Sequence, residues 1–107
     1  ARNDDMIISS GYNIAGPEVE AALLAHSMVA ECAVIGVPDD LRGAIVEAHV
    51  VLRDGATADE AMAKTLQDHV KALIAPHKYP RSVRFTAALP KTETGKIQRF
   101  RLKQAAD

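Results

Sequence analysis

The sequence contains no tryptophan, one cysteine and only four aromatic side chains, two tyrosines and two phenylalanines. With Cys32 alone, no disulfide can close within the chain, and a reducing, cytoplasmic compartment is the simpler expectation. Cys32 stands in the apolar stretch Cys32-Ala33-Val34-Ile35 and is expected in the core rather than as a reactive thiol. No apolar run approaches the roughly 18 residues needed to span a bilayer, so no membrane partner is expected. Internal repeats and low-complexity linkers are also missing. The four histidines, His26, His49, His69 and His77, lack ligand spacing, and no metal site is expected from them. The start, Ala1-Arg2-Asn3-Asp4-Asp5, carries neither an initiator Met nor a signal-peptide pattern and reads as a cut end.

What is present is ordinary globular composition. The 107 residues are 48% hydrophobic and 25% charged, enough for one domain with a single core but too few to add a sizeable substrate cavity. The net charge of −1 conceals an asymmetry. Residues 1–76 hold twelve acidic and five basic side chains, whereas residues 77–106 hold eight basic side chains and one acidic one, Glu93. A positive C-terminal third suits phosphate on a nucleotide, a nucleic acid or a cofactor; a solvated face balancing the acidic remainder is the plainer alternative.

Periodicity lays out the elements. Met6-Ile7-Ile8 and Tyr12-Asn13-Ile14 flank Ser9-Ser10-Gly11 and predict a short hairpin. Gly16-Pro17 opens a helix whose buried face is Val19, Ala22, Leu23 and His26, with Glu18 and Glu20 near its positive end. The apolar run 29–37, interrupted only by Glu31 and Gly36, predicts a central strand. Residues 44–53 alternate: Ala44, Val46, Ala48, Val50 and Leu52 on one face, Glu47, His49 and Arg53 on a solvent face. A helix over 58–75 presents Met62, Leu66, Val70, Leu73 and Ile74 to the core and stops at Pro76. A short strand over 82–86 turns Val83 and Phe85 inward, and a basic helical tail over 96–104 docks through Ile97, Phe100 and Leu102. The fold class expected is α+β: a small mixed sheet with an N-terminal hairpin, covered by two main helices, plus a short C-terminal helix.

Chemistry concentrates in Pro90-Lys91-Thr92-Glu93-Thr94-Gly95-Lys96. A phosphate-binding P-loop is excluded, because Pro90 stands where its upstream glycine belongs and Ile97 where a Mg²⁺-binding hydroxyl belongs. What remains is a point-charge ammonium, Lys96, on a polar loop. Two roles stay open on these residues alone: neutralising an anion whose charge develops during reaction, or simple solvation.

The pattern Leu89-Pro90-Lys91-Thr92-x-x-Gly95-Lys96-Ile97-x-Arg99 resembles the closing signature of the adenylate-forming acyl-CoA ligases. Arg2-x-Asp4-Asp5-Met6-Ile7, Gly11, Pro17-Glu18-Val19-Glu20, Val34-Ile35-Gly36-Val37-Pro38-Asp39 and Lys78-x-Pro80 extend the likeness, in order, along nearly the whole chain. The stretch Asp5-Met6-Ile7-Ile8-Ser9-x-Gly11-Tyr12-Asn13-Ile14 and the Thr92-Glu93-Thr94-Gly95-Lys96 variant look most like benzoate and 2-aminobenzoate CoA ligases.

The resemblance implies that residues 1–107 are one C-terminal lid domain beginning at the interdomain hinge, inactive without a large N-terminal domain. Such enzymes join a carboxylate to ATP as acyl-AMP, with Mg²⁺ assisting, and then pass the acyl group to the CoA thiol; the small domain rotates between the steps. It implies Lys96 as the catalytic residue of adenylation, Asp4 as the hinge and Arg2 beside the nucleotide. Ser10, Gly11 and Tyr12 would line the pantetheine tunnel, and His77, Tyr79 and Arg81 would meet the CoA nucleotide. ATP and CoA enter as substrates, and neither is expected to bind tightly to this domain alone. At two positions the chain departs from many relatives: Tyr79 replaces a basic residue and Ile8 replaces a lysine. The main rival, a nucleic-acid-binding or interaction module using the basic tail, lacks the exposed aromatics such a module needs.

Overall fold

The structure, a computed structural model, describes residues 6–9, 11–98 and 101–102. Strands β1 (Met6–Ser9) and β2 (Tyr12–Ala15) form an antiparallel hairpin with Ser9 opposite Tyr12. Gly11 holds φ +84° in its turn, a conformation a side chain disfavours. The hairpin is a two-stranded sheet of its own rather than an edge of the main one. It packs by burying Ile7 and Ile14.

Helix α1 (Gly16–Leu24) has proline in its first turn and buries Val19, Ala22 and Leu23. His26, expected on the same face, lies beyond the helix end and is only half-buried; its Nδ1 accepts the Met28 N–H at 3.1 Å, so it shapes the turn instead of filling the core.

Strands β3 (Val29–Asp39) and β4 (Gly43–Leu52) pair antiparallel, and β5 (Ser82–Phe85) joins β4 in parallel. The order β3-β4-β5 makes β4 central and places β3, expected in the middle, at an edge. That edge is covered by α1, whose Glu20 carboxylate accepts the Val34 N–H at 2.8 Å. A register shift between Val29 and Glu31 inserts one extra residue into β3. Cys32 is buried, and its thiol donates to the Glu20 carbonyl at 3.4 Å.

Because side chains alternate along a strand, the sheet carries two cores. On one face Cys32, Val34, Val46, Ala48 and Val50 meet the hairpin, α1 and helix α2 (Glu60–Leu73) through Ile7, Ile14, Val19, Leu23, Leu66 and Val70. On the other, Ala33 and Ile35 meet Leu89 and Leu102, with Val37, Val51 and Ile97 beside them. Helix α2 begins at Glu60 rather than 58 because the Asp59 carboxylate caps it, accepting the Met62 N–H at 2.8 Å. Leu73, assigned to its core face by periodicity, is instead 52% exposed at the last helical residue. A 3-10 turn (Pro76–Lys78) follows.

Two further expectations are corrected. Glu47 and His49, read as the solvent face of β4, are 2% and 7% exposed, since β5 and the C-terminal segment also cover that side. Lys96 does not start a helix: residues 91 and 97 form an antiparallel bridge, and the described helical residues of the tail are Arg101 and Leu102. Phe100 lies outside the described residues. Among the described residues no helix is long and apolar enough to cross a membrane.

Candidate functional site

Lys96 sits in a tight turn closed by a ladder of hydrogen bonds. Thr92 N–H donates to the Lys96 carbonyl at 2.8 Å, Gly95 N–H to the Thr92 carbonyl at 2.9 Å, and Gln98 N–H to the Pro90 carbonyl at 2.8 Å. The Thr92 hydroxyl oxygen accepts the Lys96 N–H at 3.1 Å and lies 2.9 Å from the Thr94 hydroxyl. Gly95 takes φ +88°, which lets the chain reverse there. Leu89 and Ile97 anchor the two stems to the second core. The result is a backbone fixed at its base, with the exposed Lys96 next to the bridge residue Ile97; among the described residues no carboxylate pairs with Lys96. An open depression of about 480 Å³ beside the turn is lined by Lys91, Thr92, Glu93, Thr94, Gln98 and Arg101. A larger one, about 540 Å³, opens at the ends of β4 and β5 and includes none of the candidate residues.

The second group gathers where the hairpin meets the 3-10 turn. The rings of Tyr12 and His77 stack with centroids 4.4 Å apart, and Tyr12 is 54% exposed. Arg81 donates from Nη1 to the Tyr79 hydroxyl at 2.9 Å, with its guanidinium carbon 5.0 Å from the ring centroid. The Lys71 ammonium, from α2, lies 4.3 Å from the same centroid. An adenine could stack on Tyr79 only if one of these cations moved, whereas Tyr12 and His77 already form an exposed aromatic platform. Lys78 holds the turn to α1 through Glu18 at 2.6 Å, and Gln67 donates to the Pro80 carbonyl at 2.9 Å. Pro80 is fully buried, which fixes the residues on either side of it.

The two groups occupy opposite faces of the three-stranded sheet. Tyr79 packs against the core that the helices and hairpin cover, while the stems of the Lys96 turn pack against the other. Arg2, Asp4 and Ser10 lie outside the described residues.

Between β4 and β5 the structure adds a buried cluster that alternation alone misplaced. The Glu47 carboxylate accepts from Arg84 Nε and, at 3.4 Å, from the Ser82 hydroxyl. His49 Nε2 lies 3.9 Å from the other carboxylate oxygen and has no hydrogen-bond partner among the described residues. Burial pushes the His49 pKa below its ordinary 6.5; Glu47 opposes this and Arg84 reinforces it. Unfolded, the imidazole takes a proton near pH 6.5, whereas folded it does so only at lower pH. Stability therefore falls as pH drops from about 6.5 to the folded value and this contribution is flat below it. We expect urea midpoints of the 107-residue chain to decline between pH 7.5 and 5.5, and the decline to shrink in His49→Phe. An unchanged pH dependence in the variant contradicts the assignment.

Comparison with known proteins places this arrangement. Residues 18–96 match the domain model described as the AMP-binding enzyme C-terminal domain. The chain is 51% identical over 104 residues to an uncharacterised acyl-CoA ligase of Bacillus subtilis, YtcI, covering 97% of this chain and 20% of the relative. It is 50% identical over 105 residues to the human mitochondrial acyl-coenzyme A synthetase ACSM1, covering 96% and 18%. The crystal structure of a Brucella canis acyl-CoA synthetase superposes with a TM-score of 0.95 at 50% identity, covering 99% of this chain and 20% of that one. An anthranilate CoA ligase, AuaEII, solved with anthranoyl-AMP, superposes with a TM-score of 0.90 at 42% identity, covering 100% and 21%. The chain thus spans about a fifth of the length of the relatives it matches. The Lys96 turn, the hairpin and the sheet between them are accordingly the frame of a shared domain, and the chain belongs to the AMP-binding enzyme C-terminal domain family of acyl-CoA synthetases.

Proposed function

We propose that this chain is the lid of a two-step carboxylate-CoA ligase and presents one sheet face for each step. The single observation that carries the reading is the separation of the two candidate groups onto opposite faces of the β3-β4-β5 sheet. A group that neutralises charge during acyl-AMP formation and a surface that receives CoA cannot both face one cleft from this domain at once. A rotation about a hinge at Asp4 exchanges them. A large N-terminal domain supplies the ATP and carboxylate pockets, a reading supported by the chain spanning about a fifth of the length of its relatives.

In the first orientation Lys96 contacts the carboxylate and phosphate oxygens, with Arg2 beside the nucleotide. Its ammonium offsets negative charge in a site from which water is excluded. Mg²⁺ supplies charge neutralisation to the triphosphate when bound; among the described residues no three His, Cys, Asp or Glu side chains come together as ligands. In the second orientation the hairpin turn at Ser10, Gly11 and Tyr12 lines the path of the pantetheine arm, where Gly11 leaves room by lacking a Cβ. Tyr12 and His77 offer the adenine a stacking surface, and Arg81, positioned by Tyr79, grips phosphate.

An aromatic carboxylate such as benzoate or 2-aminobenzoate is the substrate class to test first. The hairpin sequence and the likeness to an anthranilate CoA ligase support it. A cytoplasmic location is consistent with the single, buried cysteine.

The test separates the two half-reactions in the intact enzyme. Arg81→Ala is expected to raise KM for CoA about tenfold or more, the worth of a charge-assisted phosphate contact, and to leave acyl-AMP formation within about twofold of wild type. An equal loss in both half-reactions overturns the assignment of this face to CoA.

A further inference from the structure

Glu31 is the one charge that interrupts the apolar run of β3 at its start, and neither half-reaction as described above uses it. In a regular strand it would share a face with Val29, two residues before it. Val29 is buried against the helices, so an uninterrupted β3 would send Glu31 into that core. The register shift between Val29 and Glu31 prevents this. The extra residue turns Glu31 onto the face of Ala33 and Ile35, where the Lys96 turn docks. Bulges recur where a strand must re-aim a functional side chain.

Re-aimed in this way, Glu31 accepts a hydrogen bond from the ammonium of Lys91, sixty positions further along the chain. Lys91 is the residue that bridges Ile97, so the ion pair bolts the base of the turn one residue from Lys96. The pair is about a third exposed on each side, 36% for Lys91 and 39% for Glu31. It is therefore a screened contact of modest strength whose use is geometric.

We infer that Glu31 is a positioning residue for adenylation, acting through Lys91 to set where the Lys96 ammonium stands. The inference rests on the proposed role of Lys96. Catalytic groups lose much of their effect when displaced by about 1 Å, so a weak contact at the base of the turn is worth more to rate than to folding.

The experiment uses the intact enzyme, with acyl-AMP formation followed by ATP–pyrophosphate exchange and thioester formation followed from supplied acyl-AMP. Glu31→Gln keeps the size of the side chain and removes its charge. It is expected to lower kcat of adenylation about fivefold, with KM for ATP and the thioester half-reaction each changed less than about twofold. Reversing the pair, Glu31→Lys with Lys91→Glu, is expected to recover at least half of the lost rate, which a general loss of packing would not do. Equal loss in both half-reactions, or no recovery on reversal, overturns the inference. Lys96→Ala measured alongside separates the two levels. If it abolishes adenylation while Glu31→Gln has no effect, the positioning role alone fails; if Lys96→Ala leaves adenylation intact, the proposed function fails and the inference with it.

Discussion

Replacing Lys96 by alanine in the intact enzyme is expected to lower acyl-AMP formation by about a hundredfold or more, with thioester formation from supplied acyl-AMP changed less than about threefold. The size of the effect follows from where the structure spends its charges. Lys91 is paired with Glu31, Lys78 with Glu18, and Arg84 with Glu47. Among the described residues the Lys96 ammonium has no carboxylate partner, and its backbone is held through the Thr92 hydroxyl, the Thr92 amide and the left-handed Gly95. An exposed ammonium with no partner among the described residues contributes little to folding, so its removal acts on rate rather than stability. Against a phosphate whose charge develops in a dry cleft, the same ammonium is worth several kcal/mol on the order of magnitude measured for single stabilising groups of active sites. Loss of both half-reactions in proportion is the outcome this account does not accommodate.

Leu66→Ala is expected to cost about 2–5 kcal/mol, a large part of the roughly 5–15 kcal/mol available to a domain of this size. Leu66 is fully buried on α2 and reaches the core formed by Ile14, Leu23 and the helix-facing side of β3 and β4. A cavity there is bounded by two helices and a sheet that cannot all close on it. Thermal melting followed by circular dichroism is expected to show Tm lower by about 10 °C or more. Leu73→Ala is the matched control. Periodicity puts Leu73 on the same helical stripe, but at 52% exposure its truncation is expected to cost less than about 1 kcal/mol. Similar losses for the two leucines contradict the packing described.

The difference between those leucines shows what a pattern in sequence can and cannot carry. The hairpin, both helices and the three strands of the sheet appear in the expected order because each has a local signal: Ser10-Gly11 between apolar pairs, Pro17 at a helix start, β-branched runs, Pro76 after a helical stripe. What was not legible depends on residues far away in the chain. Glu47 and His49 alternate with apolar neighbours as a solvent face would, yet Arg84 on β5 neutralises the carboxylate and the C-terminal segment closes over that side. The run from Val29 looked central because it is so apolar; it is apolar because both its faces are covered, while Glu20 seals its edge.

The candidate site divides in the same way. The Lys96 loop was legible as a motif, but its form was not: the basic residues after Lys96 suggest a helix, and the Thr92 hydroxyl and Gly95 impose a turn first. Tyr12, His77, Tyr79 and Arg81 were each legible singly, whereas their pairing into one stacked platform and one cation-flanked ring is a product of the tertiary fold. Lys71, over the Tyr79 ring, had no signal beyond a charge on an amphipathic helix. Glu31 had one, a lone carboxylate in an apolar strand, whose meaning depends on the register shift beside it. Gly36, the other interruption of that strand, is explained by contact: a Cβ there would sit 3.2 Å from the Ile7 side chain, so the glycine makes room for the hairpin.

The central claim, that one small domain serves two reactions from two faces of one sheet, is tested most directly by measuring both half-reactions in the same preparations of Lys96→Ala and Arg81→Ala enzyme. The account predicts a crossed pattern, with Lys96→Ala losing acyl-AMP formation and keeping thioester formation, and Arg81→Ala doing the reverse at subsaturating CoA. Two variants that lose the same half-reaction in the same proportion would contradict it.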